Sequence, residues 1–465
     1  MNSDIFFGEA DDRPIHFIGI AGAGMSALAE LFARRGARVT GCDSNPGAAR
    51  ADLARLGIEV WEGHSAEHVS GTRAVVFTSA MGRDHPELLA ARAAGIPVIR
   101  RAEALGAAVA LGDVVGIAGT HGKTTTTVMT TTALRSAGLE PTGIAGGRVV
   151  EWDGNMTFGS DRLFVVEADE YDRSFLALDP SVAVVTNVEA DHLDIYADLA
   201  DIRATFSRYL ARARAIVLCA DDDGANSLDL PPTAEIIRYG LLSPDARLIA
   251  RGVRAEDGGS SFSVWYDGKH ECEVRLGVPG VHNVRNALAA IGSGIALGVK
   301  PASMVPGLEA FAGVERRFQR IAEVAGISIV DDYAHHPTEI AATIEAARGA
   351  FPGRRLVLAF QPHLYSRTRD FATEFGRALS GADAIFLTEL YPAREQPIAG
   401  VSSDLVERAI RDAGGALAWR GERAALASAL SAAARPGDVV ITVGAGDITL
   451  TAGELRDILT AKSGA

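Results

Sequence analysis

Three times along this chain a run of apolar, often β-branched residues stops at a glycine-rich or polar turn and a helical pattern takes over. That alternation is the strongest constraint on its fold. Over residues 15–112, "IHFIGI", "ARVTGCD", "AVVFTSA" and "IPVIR" have the composition of strands, with "MSALAELFARRG" and "HPELLAARAAG" as helices between them. Strands separated by helices predict a parallel sheet covered on both faces. A second series opens at "DVVGIAGTHGKTTTTVMTTTALRSAG", 113–138, and continues through "RLFVVEADE", "VAVVTNVEADHLD" and "RAIVLCADDDG". Segments around 246–277, turned by "DGGSS" and "YDGKH", predict a small antiparallel addition, and "HNVRNALAAIGSGIALG" a long helix. The third series starts near "GVERRFQRI", 313–321, with "GISIVDDYAHH", "RRLVLAFQPH", "DAIFLTELYP" and "DVVITVGAG" as strands ending in polar loops. The expectation is an α/β protein of three domains, with boundaries near 112 and 313. These are a Rossmann-like parallel sheet over 1–112, a P-loop ATPase-like domain over 113–313 and a second Rossmann-like domain over 314–465. A length of 465 residues suits about three such units.

Two of the strand ends carry glycine loops. After "IHFIGI" comes Gly22-x-Gly24-x-x-Ala27, then a helix, with Asp43 closing the next strand. Glycines there allow a tight turn and close backbone approach, and the helix N-terminus receives an anionic phosphate. The pattern fixes a diphosphate near a helix end; it fits NAD as well as another nucleotide diphosphate, or a ligand-free turn, so a dehydrogenase stays open at this point. The second loop is "GIAGTHGKTTTT", 116–127. Lysine occurs only at 123, 269, 300 and 462, so one inside a glycine loop between strand and helix is pointed. Gly122-Lys123-Thr124 has the parts of a P-loop: amides to cradle phosphates, an ammonium for the outer ones and a hydroxyl for Mg²⁺. The spacing departs from the strict pattern, with Ile117 where the first glycine belongs and glycines at 116, 119 and 122. ATP is the expected ligand.

A P-loop enzyme needs a carboxylate for its metal. Glu167 in "VVEADEYD" stands where a strand runs out, and Asp169, Glu170 and Asp172 follow it, as part of the site or as a solvated acidic loop. "NVEADHLD" adds His192 between Asp191 and Asp194, either structural or a second metal ligand. The net charge of −14 speaks against a nucleic-acid partner. The three cysteines, 42, 219 and 272, show neither a disulfide framework nor a zinc spacing. No apolar run reaches the ~18–20 residues of a membrane span, and the start lacks a signal-peptide pattern. The expectation is a cytoplasmic protein without a membrane partner, as a monomer or weak homodimer.

In this order, "GTHGKTTTT", "EADE", "NVEADHLDIY", "HNVRNALAA", "RRFQ", "DDYAHHPTE" and "FQPHLYSRTRDF" resemble the Mur ligases over nearly the whole chain. The resemblance implies one domain each for a UDP-sugar, ATP and an incoming amino acid, and it removes the dehydrogenase reading. It implies ATP-dependent ligation of L-alanine to UDP-N-acetylmuramate through an acyl phosphate, with a relative that attaches a whole tripeptide as the alternative. A catalytically dead nucleotide-binding scaffold is disfavoured by the joint presence of Lys123, Thr124, Glu167 and His192.

Carried over by position, Gly22, Gly24, Met25, Ser26, Asp43 and Ser79 are expected at the UDP-sugar. Gly119, Thr120, His121, Gly122, Lys123, Thr124 and Thr125 are expected around the phosphates of ATP. Thr124, Glu167 and His192 would hold Mg²⁺. Asn283 and Asn286 would meet the adenine side, Arg317 the terminal phosphate, and Asp332 and His335 the ribose and phosphates. Tyr333, His335, Arg367 and Arg369 are expected at the amino acid, since a guanidinium forks onto a carboxylate. Lys123, His192, Arg317 and His335 carry the catalytic expectation, with His335 or His192 as proton acceptor. "HHPTE" also suits a plain helix start, with Pro337 in the first turn. Two departures stand out: Leu364 occupies a position where many relatives have arginine, and no lysine lies between 123 and 269, which excludes the carbamylated lysine of several sister ligases.

Overall fold

The computed structural model describes residues 4–7, 11–47, 49–78, 81–82, 84–256, 258–393 and 395–463. Three sheets account for its strands. The first is all parallel, in the order β3-β2-β1-β4-β5, from Ile15–Ile18 (β1), Val39–Asp43 (β2), Glu59–Glu62 (β3), Ala74–Phe77 (β4) and Val98–Arg100 (β5). Its centre is β1, whose four residues are all buried, as a strand covered on both faces requires. The strand order reverses beside β1, the place where open α/β sheets leave a crevice for ligands.

The second sheet contains Asp113–Ala118 (β6), Thr142–Val149 (β7), Gly154–Thr157 (β8), Leu163–Glu167 (β9), Val182–Val185 (β10), Ala215–Cys219 (β11) and Glu235–Gly240 (β12). They run in the order β12-β11-β10-β6-β9-β7-β8, parallel except for the β7–β8 pair. The expected antiparallel addition is present as Leu248–Glu256 (β13), Gly259–Tyr266 (β14) and Lys269–Leu276 (β15), with β14 and β15 paired antiparallel. The third sheet is mixed: Gln319–Val324 (β16), Ile327–Asp332 (β17), Leu356–Phe360 (β18), Ala384–Thr388 (β19), Leu417–Gly421 (β20) and Val439–Val443 (β21), ordered β16-β17-β21-β18-β19-β20. Only β16 runs antiparallel, on β17. Two apolar clusters cover its faces, one around Phe360, Phe375 and Ile410 and the other around Leu426, Leu430 and Leu455.

The chain forms two compact units: Met1–Val188 with Ala200–Leu248 and Ala287–Gly307, and Glu189–Leu199 with Ile249–Asn286 and Leu308–Ala465. The first carries the first two sheets up to β12; the second carries the third sheet. No helix of the described residues is long and apolar enough to cross a membrane.

Candidate active site

In the first unit, two strand-to-helix turns face the ligand edges of their sheets. The turn after β1 leads into the helix Ala23–Arg34, capped at Gly22 without a side-chain hydrogen bond. Asp43, at the end of β2, braces it: its carboxylate accepts from Ala21 N at 3.1 Å and Asn45 N at 2.9 Å. Gly24 lies against a cation that sequence reasoning missed, since a Cβ there would sit 2.8 Å from an Arg101 Nη1. Met25 is buried beneath the turn, and the Ser26 hydroxyl donates to Ala23 O. Ser79 lies outside the described residues. Arg101 also lines a cleft of about 280 Å³ with Arg100, Glu103, Asp172, Arg173 and Ser174. Asp172 and Arg173 hold left-handed backbone there, at φ 53° and 55°, a strain of the kind that gathers at ligand sites.

The turn after β6 is built more tightly. Gly119 and Gly122 take φ of 138° and 82°, values that ordinary side chains resist, and the helix Lys123–Ser136 starts at once. Thr186 and Asn187, beyond the end of β10, hold the loop. Thr120 N donates to Asn187 O (3.1 Å), His121 N to Asn187 Oδ1 (2.8 Å), and Asn187 Nδ2 and Thr186 Oγ1 both donate to His121 O. Gly116, the first glycine of the stretch, lies within β6 and is small for packing: a Cβ there would collide with the Tyr209 hydroxyl.

Lys123 turns its ammonium back over the loop, donating to Gly119 O (2.7 Å) and Thr120 O (3.2 Å) and pairing with Glu170 at 2.8 Å. Burial opposes this charge, yet Glu170, Asp169 and Glu167 outweigh it and hold the pKa above the usual lysine range. Glu170 is 3% exposed, so the acidic stretch is not a solvated loop, and burial lifts its carboxyl to about 7 against the pull of Lys123. The helix's second residue, Thr124, donates to Glu167 Oε1 at 3.1 Å, and Gly146 N from β7 donates to Glu167 Oε2 at 2.5 Å. A hydroxyl and a carboxylate converging at a helix N-terminus are the hard oxygen donors that Mg²⁺ takes. Thr125 is buried in the same first turn.

The second unit contains the remaining candidates. His192, in left-handed backbone (φ 52°), donates its amide to Asp191 Oδ1 at 2.7 Å. Arg367 forks onto Asp191, with Nη2 at 2.8 and 3.1 Å from the two carboxylate oxygens. Burial resists the Asp191 charge, but Arg367, His192 and His335 hold its carboxyl well below the usual range. The guanidinium expected at a substrate carboxylate is thus engaged with a protein one, while Arg369 pairs with its neighbour Asp370 in the open. Leu364 precedes their helix at φ 70°, buried.

Arg316 and Arg317 both lie over the Tyr333 ring, at 4.7 and 5.1 Å. Arg316 is spent on structure, donating to Gly444 O, whereas Arg317 reaches Glu339 at 3.5 Å. Asp332 clamps the two turns, accepting from Phe318 N (2.9 Å) and Ala334 N (2.8 Å), and burial pushes its carboxyl up to about 6. "HHPTE" is a helix start with a complete capping box: His336 caps Pro337–Ala350, and Glu339 accepts from His335 N and His336 N. His335 Nδ1 sits 3.0 Å from Tyr333 O, and burial lowers the ring's pKa to about 3. Asn283 and Asn286 are buried and joined at 3.2 Å, with Asn283 Nδ2 on Pro279 O.

Three family models match in sequence order. The description "Mur ligase family, catalytic domain" matches residues 14–112, "Mur ligase middle domain" 117–294 and "Mur ligase, glutamate ligase domain" 316–446. The chain belongs to the Mur ligase family. As a Mur ligase it is 45% identical over 446 residues to the UDP-N-acetylmuramate–L-alanine ligase of Burkholderia multivorans, covering 94% of this chain and 96% of that one. The enzyme of the same name from Burkholderia pseudomallei is 44% identical over 458 residues, 95% and 97% of the two chains. Among solved structures, the UDP-N-acetylmuramate–alanine ligase of Thermotoga maritima matches this Mur ligase with a TM-score of 0.81 at 28% identity, over 97% and 99% of the chains. A murein peptide ligase from Psychrobacter arcticus matches at 0.69 and 25%, over 97% and 98%.

Proposed function

We propose that this Mur ligase joins L-alanine to UDP-N-acetylmuramate at the expense of ATP, the first amino-acid addition to the peptidoglycan stem. The observation that carries the chemistry is Lys123, a largely shielded ammonium in a glycine loop beside the Thr124–Glu167 pair. The choice of acceptor rests on near-full-length likeness to UDP-N-acetylmuramate–L-alanine ligases. We assign 1–112 to the UDP-sugar, 113–313 to ATP and 314–465 to the amino acid. We assign the reaction to the cytoplasm, the compartment that holds ATP and nucleotide-linked sugars.

A carboxylate resists an amine until one oxygen becomes a leaving group. The lactyl carboxylate therefore attacks the terminal phosphorus of ATP, ADP departs, and an acyl phosphate remains. Such transfers demand positioning and charge neutralisation more than covalent help. Lys123 supplies positive charge and the loop amides orient the phosphates, with Arg317 as the second cation. Thr124, Glu167 and His192 are the residues assigned to Mg²⁺, which neutralises phosphate charge when bound. The amine of L-alanine then attacks the acyl carbon, and the tetrahedral intermediate expels phosphate. With a pKa near 3, His335 is too weak a base to take the ammonium proton, so we leave it to orient the substrate.

The test is ADP release in the presence of UDP-N-acetylmuramate and Mg²⁺, offering L-alanine, glycine, L-serine or the tripeptide in turn. Turnover with L-alanine is expected. Turnover with the tripeptide alone would select the recycling reaction instead, and none with any acceptor would end the reading.

A further inference from the structure

Under the first sheet's ligand edge lies a cluster that ligation does not use. Parallel register sets His16 of β1 beside Thr40 of β2 and Ile18 beside Cys42, so His16, Thr40 and Cys42 share one face. The turn Ala66–Val69 and the helix Pro86–Ala93 bring His68 and Glu87 to it. Glu87 is fully buried. Its oxygens lie 2.7 Å from His68 Nδ1, 3.1 and 3.2 Å from Cys42 Sγ, and 3.7 Å from His16 Nε2, and accept from Ser65 N at 3.0 Å. One donor atom from each of His16, Cys42, His68 and Glu87 falls within 4.8 Å of all the others.

Two observations make the cluster a candidate ligand set. His16 is wholly buried; its Nδ1 contacts the Thr40 hydroxyl at 3.2 Å, while its Nε2, facing Glu87, has no hydrogen-bond partner. Glu87 is a carboxylate sealed from water whose ion-pair partners, among the described residues, are all histidines, with no lysine or arginine. Burial opposes this charge, but the groups around it hold the carboxyl down at about 2, an anion already suited to serve as a ligand.

We propose that His16 Nε2, Cys42 Sγ, His68 Nδ1 and a Glu87 oxygen form a closed, tetrahedral structural site for a borderline transition-metal dication, Zn²⁺ being the type. Zn–N bonds of about 2.0–2.1 Å and Zn–S bonds of about 2.3 Å give tetrahedral edges of roughly 3.3–3.8 Å. The Cys42–Glu87 and His16–Glu87 separations are already near this, and the His68–Glu87 contact opens by less than an ångström. A sulfur and two imidazoles select such a metal over Mg²⁺, which takes oxygen ligands. Burial and Glu87 hold the Cys42 thiol far above its ordinary pKa, and burial lowers that of His16. Binding displaces one proton, from Cys42 to solvent, and moves the His68 ring proton from Nδ1, where it faces Glu87, to Nε2. Thiolate and carboxylate then balance the dication, and Thr40 fixes the His16 tautomer as an outer partner does in such sites. The ion would pin β1, β2, the turn and the helix together, directly under Asp43 and the glycine loop.

The test uses the full chain without a histidine tag, purified from zinc-supplemented cells, with metal counted by mass spectrometry. About one zinc per chain is expected, falling below about a tenth in Cys42→Ser. Replacement by Co²⁺ should produce a thiolate-to-cobalt charge-transfer band in the wild-type chain, abolished by Cys42→Ser and displaced by Zn²⁺. A strong chelator should lower the wild-type Tm by several degrees and leave that of Cys42→Ser unchanged. A wild-type chain with neither zinc nor a cobalt–thiolate band would overturn the proposal, leaving a histidine–carboxylate network. Equal zinc in both chains would do the same by placing the metal elsewhere. The cobalt band on the wild-type chain decides the matter even if the variant fails to fold.

Discussion

Replacing Lys123 by methionine separates what this side chain does for catalysis from what it does for the resting protein. The ammonium and Glu170 are 13% and 4% exposed and 2.8 Å apart, so removing one partner strands the other in a dry place. Breaking such a pair costs about 3–5 kcal/mol, or about 6–20 °C in the Tm of a unit of this size. Adding Glu170→Gln removes the stranded charge, and the double variant should recover most of that loss. It should not recover turnover, because loss of a preorganised cation lowers kcat by about 10²–10³-fold or more. Differential scanning calorimetry and steady-state ADP release on the three chains give both readouts. Near-normal kcat in Lys123→Met would refute the P-loop assignment. A double variant no more stable than Lys123→Met would refute the ion-pair argument.

Gly146→Ala should raise the Mg²⁺ concentration for half-activation about tenfold, because a Cβ there would come within 2.5 Å of a Glu167 oxygen; titration of turnover against Mg²⁺ checks it. Asn187→Ala removes two of the three side-chain hydrogen bonds on the His121 backbone, and at roughly 1–3 kcal/mol should raise the KM for ATP by about 5–150-fold. The second unit should lose stability in acid through His335 and His282, whose pKa values burial lowers to about 3 and about 4. The unfolded rings take protons near 6.5 and the folded ones only far below, so this stability is present above 6.5 and drains away as pH falls toward 3. His335→Gln should flatten the fall of Tm over that window, measured by thermal melts from pH 7 to 4.

Much of this was legible because strands end where ligands gather. The Gly122-Lys123-Thr124 spacing and a glutamate at the end of an apolar strand were enough to place Thr124 and Glu167 together. Asn187 and Thr186 stand at a strand end too, but their work is done through the loop backbone, which no side-chain motif advertises. Whether Glu170 met solvent or Lys123 depended on how the chain turns after β9, and there Asp172 and Arg173 adopt backbone that composition does not forecast. The Arg367–Asp191 pair spans 176 residues of sequence, too far for any local pattern. His16, Cys42, His68 and Glu87 come from four separate elements, so their spacing resembles no metal motif, and only the register of β1 on β2 brings the first two onto one face.

Glu339 holds two offices at once. Its carboxylate closes the first turn of the helix Pro337–Ala350 and also steadies the Arg317 guanidinium. A natural variant at this position would therefore present as a kinetic lesion and a local melting defect together. Selection acting on either trait is answerable to the other, which leaves this glutamate little room to drift, and any inhibitor leaning on Arg317 would inherit that rigidity.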